Sequence, residues 1–211
     1  MLRKRERMLL NDFLPEYEFH EVHTVRVNAK AEQVFRAMKE LTASELSPLI
    51  FLLMKIRSLP AKLSRRETPR PSPAGPFLEQ MVQGGFIHLA EVPGREIVFG
   101  LIGQFWKPDG GKALSIHEPN AFLAFDDARY AKVAANLFVQ DIDGEVRFST
   151  ETRIHALAPA TRRKFAFYWG IISMGSGIIR VLWLRAIKRK AEKLGVQEIM
   201  GLPLTGGRSR R

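Results

Sequence analysis

A glutamate and a histidine two residues apart on one strand face form a compact acid–base pair, and the sequence carries one at Glu21 and His23. Residues 17–27 alternate, with Tyr17, Phe19, Val25 and Val27 on one side and Glu18, His20, Thr24 and Arg26 on the other. The period of two puts Glu21 and His23 on the apolar side. A carboxylate and an imidazole directed into a core can orient a polar ligand group or transfer a proton, because burial and mutual contact tune both. The same residues also read as a satisfied structural pair, or as a bulge that turns both outward.

Glu151 and Arg153 have the same spacing, but Val146, Phe148, Thr150, Thr152 and Ile154 make the better inward face. This pair is therefore expected outside, as a surface ion pair, unless a bulge admits one member to the interior. Trp106, Tyr168 and Trp169 are amphipathic groups able to wall a pocket or fill a core. Ala131 and Ala135 share a strand face with Val133, Leu137 and Val139, where small side chains leave room for a ligand or for closer packing.

Other chemistries lack their residues. The chain has no cysteine, which excludes disulfides, thiolate nucleophiles and Cys-ligated zinc. His20, His23, His88, His117 and His155 form no helical i, i+4 pair and close no metal motif. No nucleophile elbow, phosphate loop or dinucleotide fingerprint is present, so no metal or cofactor is expected.

The elements that must position these groups follow from local pattern. After the first strand, Asn28 can cap a helix with Ala31, Val34, Phe35, Met38 and Leu41 on one face. A second helix starts either from the Thr42/Glu45 capping-box spacing or from Ser47 followed by Pro48, and covers residues 49–59. Residues 64–76 hold four prolines among Arg, Ser and Thr and read as an exposed loop. A hairpin is expected from residues 86–92 and 96–106 around Pro93-Gly94. A more strongly signalled one joins 131–140 to 145–157 through Asp141-Ile142-Asp143-Gly144. Residues 159–194 read as a helix, with a kink or break expected between Gly170 and Gly177, since each interior glycine costs about 1 kcal/mol against alanine. That weakened turn would serve as a gate for ligand entry.

The net charge of +11 is concentrated at the ends. Arg3, Lys4, Arg5 and Arg7 outweigh Glu6 near the start, and Arg208, Arg210 and Arg211 lie near the finish. Residues 1–14 and 195–211 are accordingly expected to be basic tails around one domain, 15–194. Without a recognised motif or an aromatic RNA-binding signature, nucleic acid is not the expected partner. Peripheral contact of the basic tails with an anionic membrane is the weaker alternative. Residues 165–187 are mainly apolar, but Arg180 and Arg185 would each cost a few kcal/mol inside a bilayer. With no signal-peptide pattern among the first residues, the expected location is the cytoplasm.

The order of strand, two helices, antiparallel strands and a long C-terminal helix resembles the helix-grip domains of the SRPBCC superfamily, which includes START, Bet v 1 and polyketide-cyclase-like proteins. The resemblance covers about residues 15–194. Gly103-Gln104-Phe105-Trp106, Glu151-Thr152-Arg153-Ile154, Tyr168-Trp169 and Ser176-Gly177-Ile178-Ile179-Arg180 are similar to bacterial members without an agreed activity. The resemblance implies an α+β fold, a curved antiparallel sheet wrapped around the long helix, with a cavity between them for a lipid, polyketide or isoprenoid-like molecule. Phe19, Glu21, His23, Trp106, Ala131, Ala135, Tyr168 and Trp169 are the expected ligand contacts. The expected role is that of a non-catalytic carrier or sensor. The alternative is a cyclase, dehydratase or hydrolase using Glu21 and His23 as acid and base.

Overall fold

In the computed structural model, which describes residues 7–57, 75–107 and 113–201, the alternating segments become five antiparallel strands. These are β1 (Phe19–Val27), β2 (Ile87–Val92), β3 (Glu96–Gly103), β4 (Ala131–Ile142) and β5 (Glu145–Ala156), lying side by side in the order β1-β5-β4-β3-β2. The α-helices among the described residues are α1 (Leu10–Phe13), α2 (Ala31–Glu40), α3 (Pro48–Arg57), α4 (Phe77–Gln83), α5 (Pro119–Ala124) and α6 (Pro159–Ile199). The fold is therefore α+β: a curved antiparallel sheet packed against a long C-terminal helix, with two helices after the first strand, as the pattern predicts.

Turn chemistry fixes the sheet register. Between β4 and β5, Asp143 and Gly144 have φ of 56° and 83°, the pair of positive values that a type I′ turn needs, and Gly144 N donates to Asp141 Oδ1 at 2.9 Å. Both candidate starts for the second helix are used, one after the other. The Glu45 carboxylate accepts from Thr42 N and Thr42 Oγ1, each at 2.9 Å, around a single 3-10 turn (Ala43–Glu45), and Pro48 then opens α3. At α2 the cap is Lys30 rather than Asn28, with Gln33 Oε1 accepting from Lys30 N at 2.8 Å.

Both faces of the sheet are covered. On one, Phe99, Leu137, Val139 and Phe148 pack with Val34 and Met38 of α2 and with Leu184, Ile187 and Ala191 of α6. On the other, Val98, Ile102 and Ala134 pack with Phe122 of α5 and with Leu10 and Leu14. Residues 8–14 are thus no tail: Leu10 is completely buried, and the buried Glu96 carboxylate accepts from Leu9 N at 2.7 Å and Leu10 N at 3.3 Å. A two-faced sheet needs a second cover, and a short apolar run too brief to show periodicity supplies it.

The long helix also departs from expectation. It is continuous for 41 residues, through Gly170, Gly175 and Gly177 and beyond residue 194 to Ile199. None of its three central glycines has positive φ, so none breaks the hydrogen-bond ladder. The glycine cost is offset by packing against β1, where Gly177 is buried, and by the absence of an interior proline. Most of the proline-rich 64–76 stretch lies outside the described residues, as do residues 1–6 and 202–211. At its end, Pro76 bridges to Thr42.

Candidate functional site

Along β1 burial alternates strictly: Phe19, Glu21, His23 and Val25 are half-buried, while His20, Val22, Thr24 and Arg26 are exposed. Glu21 and His23 therefore turn toward α6, and no bulge displaces them from their partners Thr152 and Thr150 on β5. His23 Nε2 lies 2.6 Å from Glu21 Oε1. The other carboxylate oxygen is taken by α6, where Arg180 Nη1 donates to Glu21 Oε2 at 2.7 Å. Arg180 Nη1 also reaches Ser176 Oγ, one helical turn earlier, at 2.7 Å, and its Nε donates to Thr152 Oγ1 at 3.1 Å. One carboxylate thus joins an imidazole to a guanidinium, a charge-assisted network held by two strands and a helix.

Gly177 lets the helix come this close. A Cβ at that position would collide with Glu21 Oε1 and lie 3.4 Å from the His23 ring, whereas Gly170 and Gly175 face open space. Side-chain exposure of Glu21, His23 and Arg180 is 17%, 22% and 17%, so the network is neither sealed nor freely solvated. It borders a half-open cleft of about 490 Å³ between β1 and α6, whose apolar wall is Met174, Ile178, Val181 and Leu182 and whose end carries Arg185. An imidazole braced by a carboxylate is the arrangement of a general base, and a guanidinium beside it suits an anionic or carbonyl oxygen.

The remaining expected contacts gather elsewhere. Phe19, Trp106, Tyr168 and Trp169 surround Phe165 with ring centroids 5.1, 6.4, 5.7 and 6.0 Å away, the Trp169 ring stacked on it. Ala131 is fully buried in the same cluster, so the room its small side chain leaves is filled by aromatic rings. Ala135 pairs with Thr152 in the row that also contains Glu21, and is half-buried. Phe19 sits two residues before Glu21 and Trp169 four before Ser173, so the aromatic cluster adjoins the cleft along the same strand and helix.

Glu151 and Arg153 do face away from α6, but they are not a surface pair. Their side chains are 13% and 6% exposed, and Arg153 is held under the N-terminal segment by Leu14 O and the Tyr17 ring. Spacing and periodicity do not single out Arg180, Ser176 and Thr152 as parts of the site, and helix propensity alone marks Gly177 as a weak point. The available signal was an arginine in an otherwise apolar helical stretch, which needs a partner once the helix is packed.

No protein-family model matches the chain, and no curated protein matches it.

Proposed function

We propose that the protein binds an amphipathic small molecule in the cleft between β1 and α6, as a carrier or sensor. The ligand's polar group meets Glu21, His23 and Arg180, and its apolar body lies along Met174, Ile178, Val181 and Leu182. The observation that carries this reading is the meeting of a half-buried charged network and an apolar wall in one cleft. Such sites take orientation from a few polar groups and affinity from burial, at about 25 cal/mol per Å² of apolar area. The helix-grip arrangement supports membership of the SRPBCC superfamily, whose expected ligands are lipids, polyketides or isoprenoid-like molecules.

Native mass spectrometry of freshly purified protein, followed by extraction under denaturing conditions, tests it. A copurified apolar or amphipathic compound whose retention falls in Met174→Glu and Arg180→Gln variants is expected. Equal retention in both variants would place the ligand elsewhere.

The 2.6 Å contact between His23 and Glu21 favours one second reading, an enzyme in which His23 acts as general base on the same ligand class. Conversion of the identified compound, abolished in His23→Gln while binding persists, would establish it.

A further inference from the structure

The N-terminal half of α6 is apolar on its packed side and again along an outward stripe whose inner edge borders the cleft. From Phe165 to Ile179 the sequence contains no charged residue. Within this region Phe165 and Gly177 are buried toward the sheet. Outside that packed side, Phe167, Ile171, Met174 and Ile178 follow one another at helical spacings of three and four and are 77%, 67%, 80% and 42% exposed. Four large apolar side chains on one outward stripe are more than the scattered exposure usual at a protein surface. The helix is long and apolar enough to cross a membrane by composition, yet only 11% of its most apolar 18-residue window is buried in the fold.

The same stripe is basic at both ends. Arg163 precedes Phe167 by four residues, and Arg185 and Arg189 continue the line beyond Ile178; all three are exposed, as are the neighbouring Arg162 and Lys164. An apolar strip bounded by cations, on a chain of net charge +11, complements a surface of hydrocarbon beneath a layer of negative headgroups. It does not complement a spanning orientation, because the inward side of the helix carries Arg180 in its network with Glu21.

We infer that α6 docks in the plane of an anionic phospholipid bilayer, inserting Phe167, Ile171, Met174 and Ile178 while Arg163, Arg185 and Arg189 contact the headgroups. Met174 and Ile178 also line the cleft at Glu21 and His23, so the bound membrane faces the mouth of the site. The docking stands on the stripe and its charges, and holds whether or not the cleft carries a ligand.

The test is co-sedimentation of the full chain with vesicles of phosphatidylcholine alone and of phosphatidylcholine mixed equally with phosphatidylglycerol. Binding is expected to the mixed vesicles, weakened by salt. Phe167→Glu combined with Ile171→Glu, neither of which lines the cleft, should reduce partitioning about tenfold or more, and Arg163→Glu should reduce it about fivefold. Both are outward positions, so circular dichroism and melting temperature should stay at the parent values. Equal partitioning of the double variant, or no binding by the parent chain, would overturn the inference. So would a concentration-dependent dimer, formed without lipid and lost in the double variant, which would assign the stripe to a second copy.

Discussion

Two pairs of ionisable residues, each two positions apart, sit on adjacent strands and face opposite sides of the sheet. On β1, Glu21 and His23 turn toward α6; on β5, Glu151 and Arg153 turn toward the N-terminal segment, with Val22 and Glu151 directly paired between them. Arg153 Nε lies 2.6 Å from Glu151 Oε1, its Nη1 donates to Leu14 O at 3.1 Å, and its guanidinium lies 4.8 Å from the Tyr17 ring centre. Asn136 Oδ1 accepts from Glu151 N at 2.8 Å, while Asn136 Nδ2 donates to Glu96 Oε1 at 2.8 Å. That side is a closed polar network roofed by backbone. The β1 network is as well connected but opens on a cleft. Composition and spacing do not separate the two pairs; the cover does. Charges sealed under backbone fix a fold, whereas charges beside an open apolar wall can meet a ligand.

The comparison breaks most readily on the closed side. Glu96→Ala should lower unfolding free energy by about 3 kcal/mol or more, because it strands the amides of Leu9 and Leu10 and the Asn136 amide in a dry interior. Chemical denaturation measures the loss, and hydrogen exchange at Leu9 and Leu10 should rise with it. A cost under about 1 kcal/mol would mean the N-terminal cover is held by apolar contact alone.

The open side is tested next by two glycines. Gly177→Ala should destabilise by about 2 kcal/mol, since the new methyl group must displace the Glu21 carboxylate from its contacts with His23 and Arg180. Gly175→Ala, facing open space with ordinary helical dihedrals, should stabilise by up to about 1 kcal/mol. Opposite shifts in melting temperature are expected from the same substitution two residues apart. Two stabilising results would show that the helix does not press on the pair.

The smallest effect is expected from Glu21→Gln, which keeps the shape and leaves an acceptor for Arg180 or His23 but removes the charge. It should cost about 1 kcal/mol, well below Glu96→Ala, because the network is partly solvated. Its larger consequence should be on retention of the copurified compound. A loss of several kcal/mol would make the β1 pair as structural as its counterpart on β5.

Strand alternation and the Asp143-Gly144 turn were legible because each is written within a few residues. Alternation placed Glu21 and His23 toward α6 and Glu151 and Arg153 away from it, as found. It could not reveal that the far face is also covered, since Leu10 and Leu14 belong to no periodic run. Nor could it reveal Gly177 as a point of close approach. Helix propensity prices a glycine by its own backbone, while this one is explained by a carboxylate on a distant strand. The continuity of α6 and the place of Arg180 are facts of that same contact.

The strand order has a consequence in time. Among the described strands β1 pairs with β5 alone, Phe19 opposite Ile154 and Val27 opposite Val146, so the earliest strand waits unpaired until the latest one exists. Its inward face then waits again for α6. Hairpins β2–β3 and β4–β5 can close locally and early, but joining β1 closes a loop of more than a hundred residues and belongs among the slow, non-local steps of folding. Glu21, His23 and Arg180 therefore come together only through these non-local contacts, and the cleft is absent from any chain in which β1 has not yet joined β5 and α6.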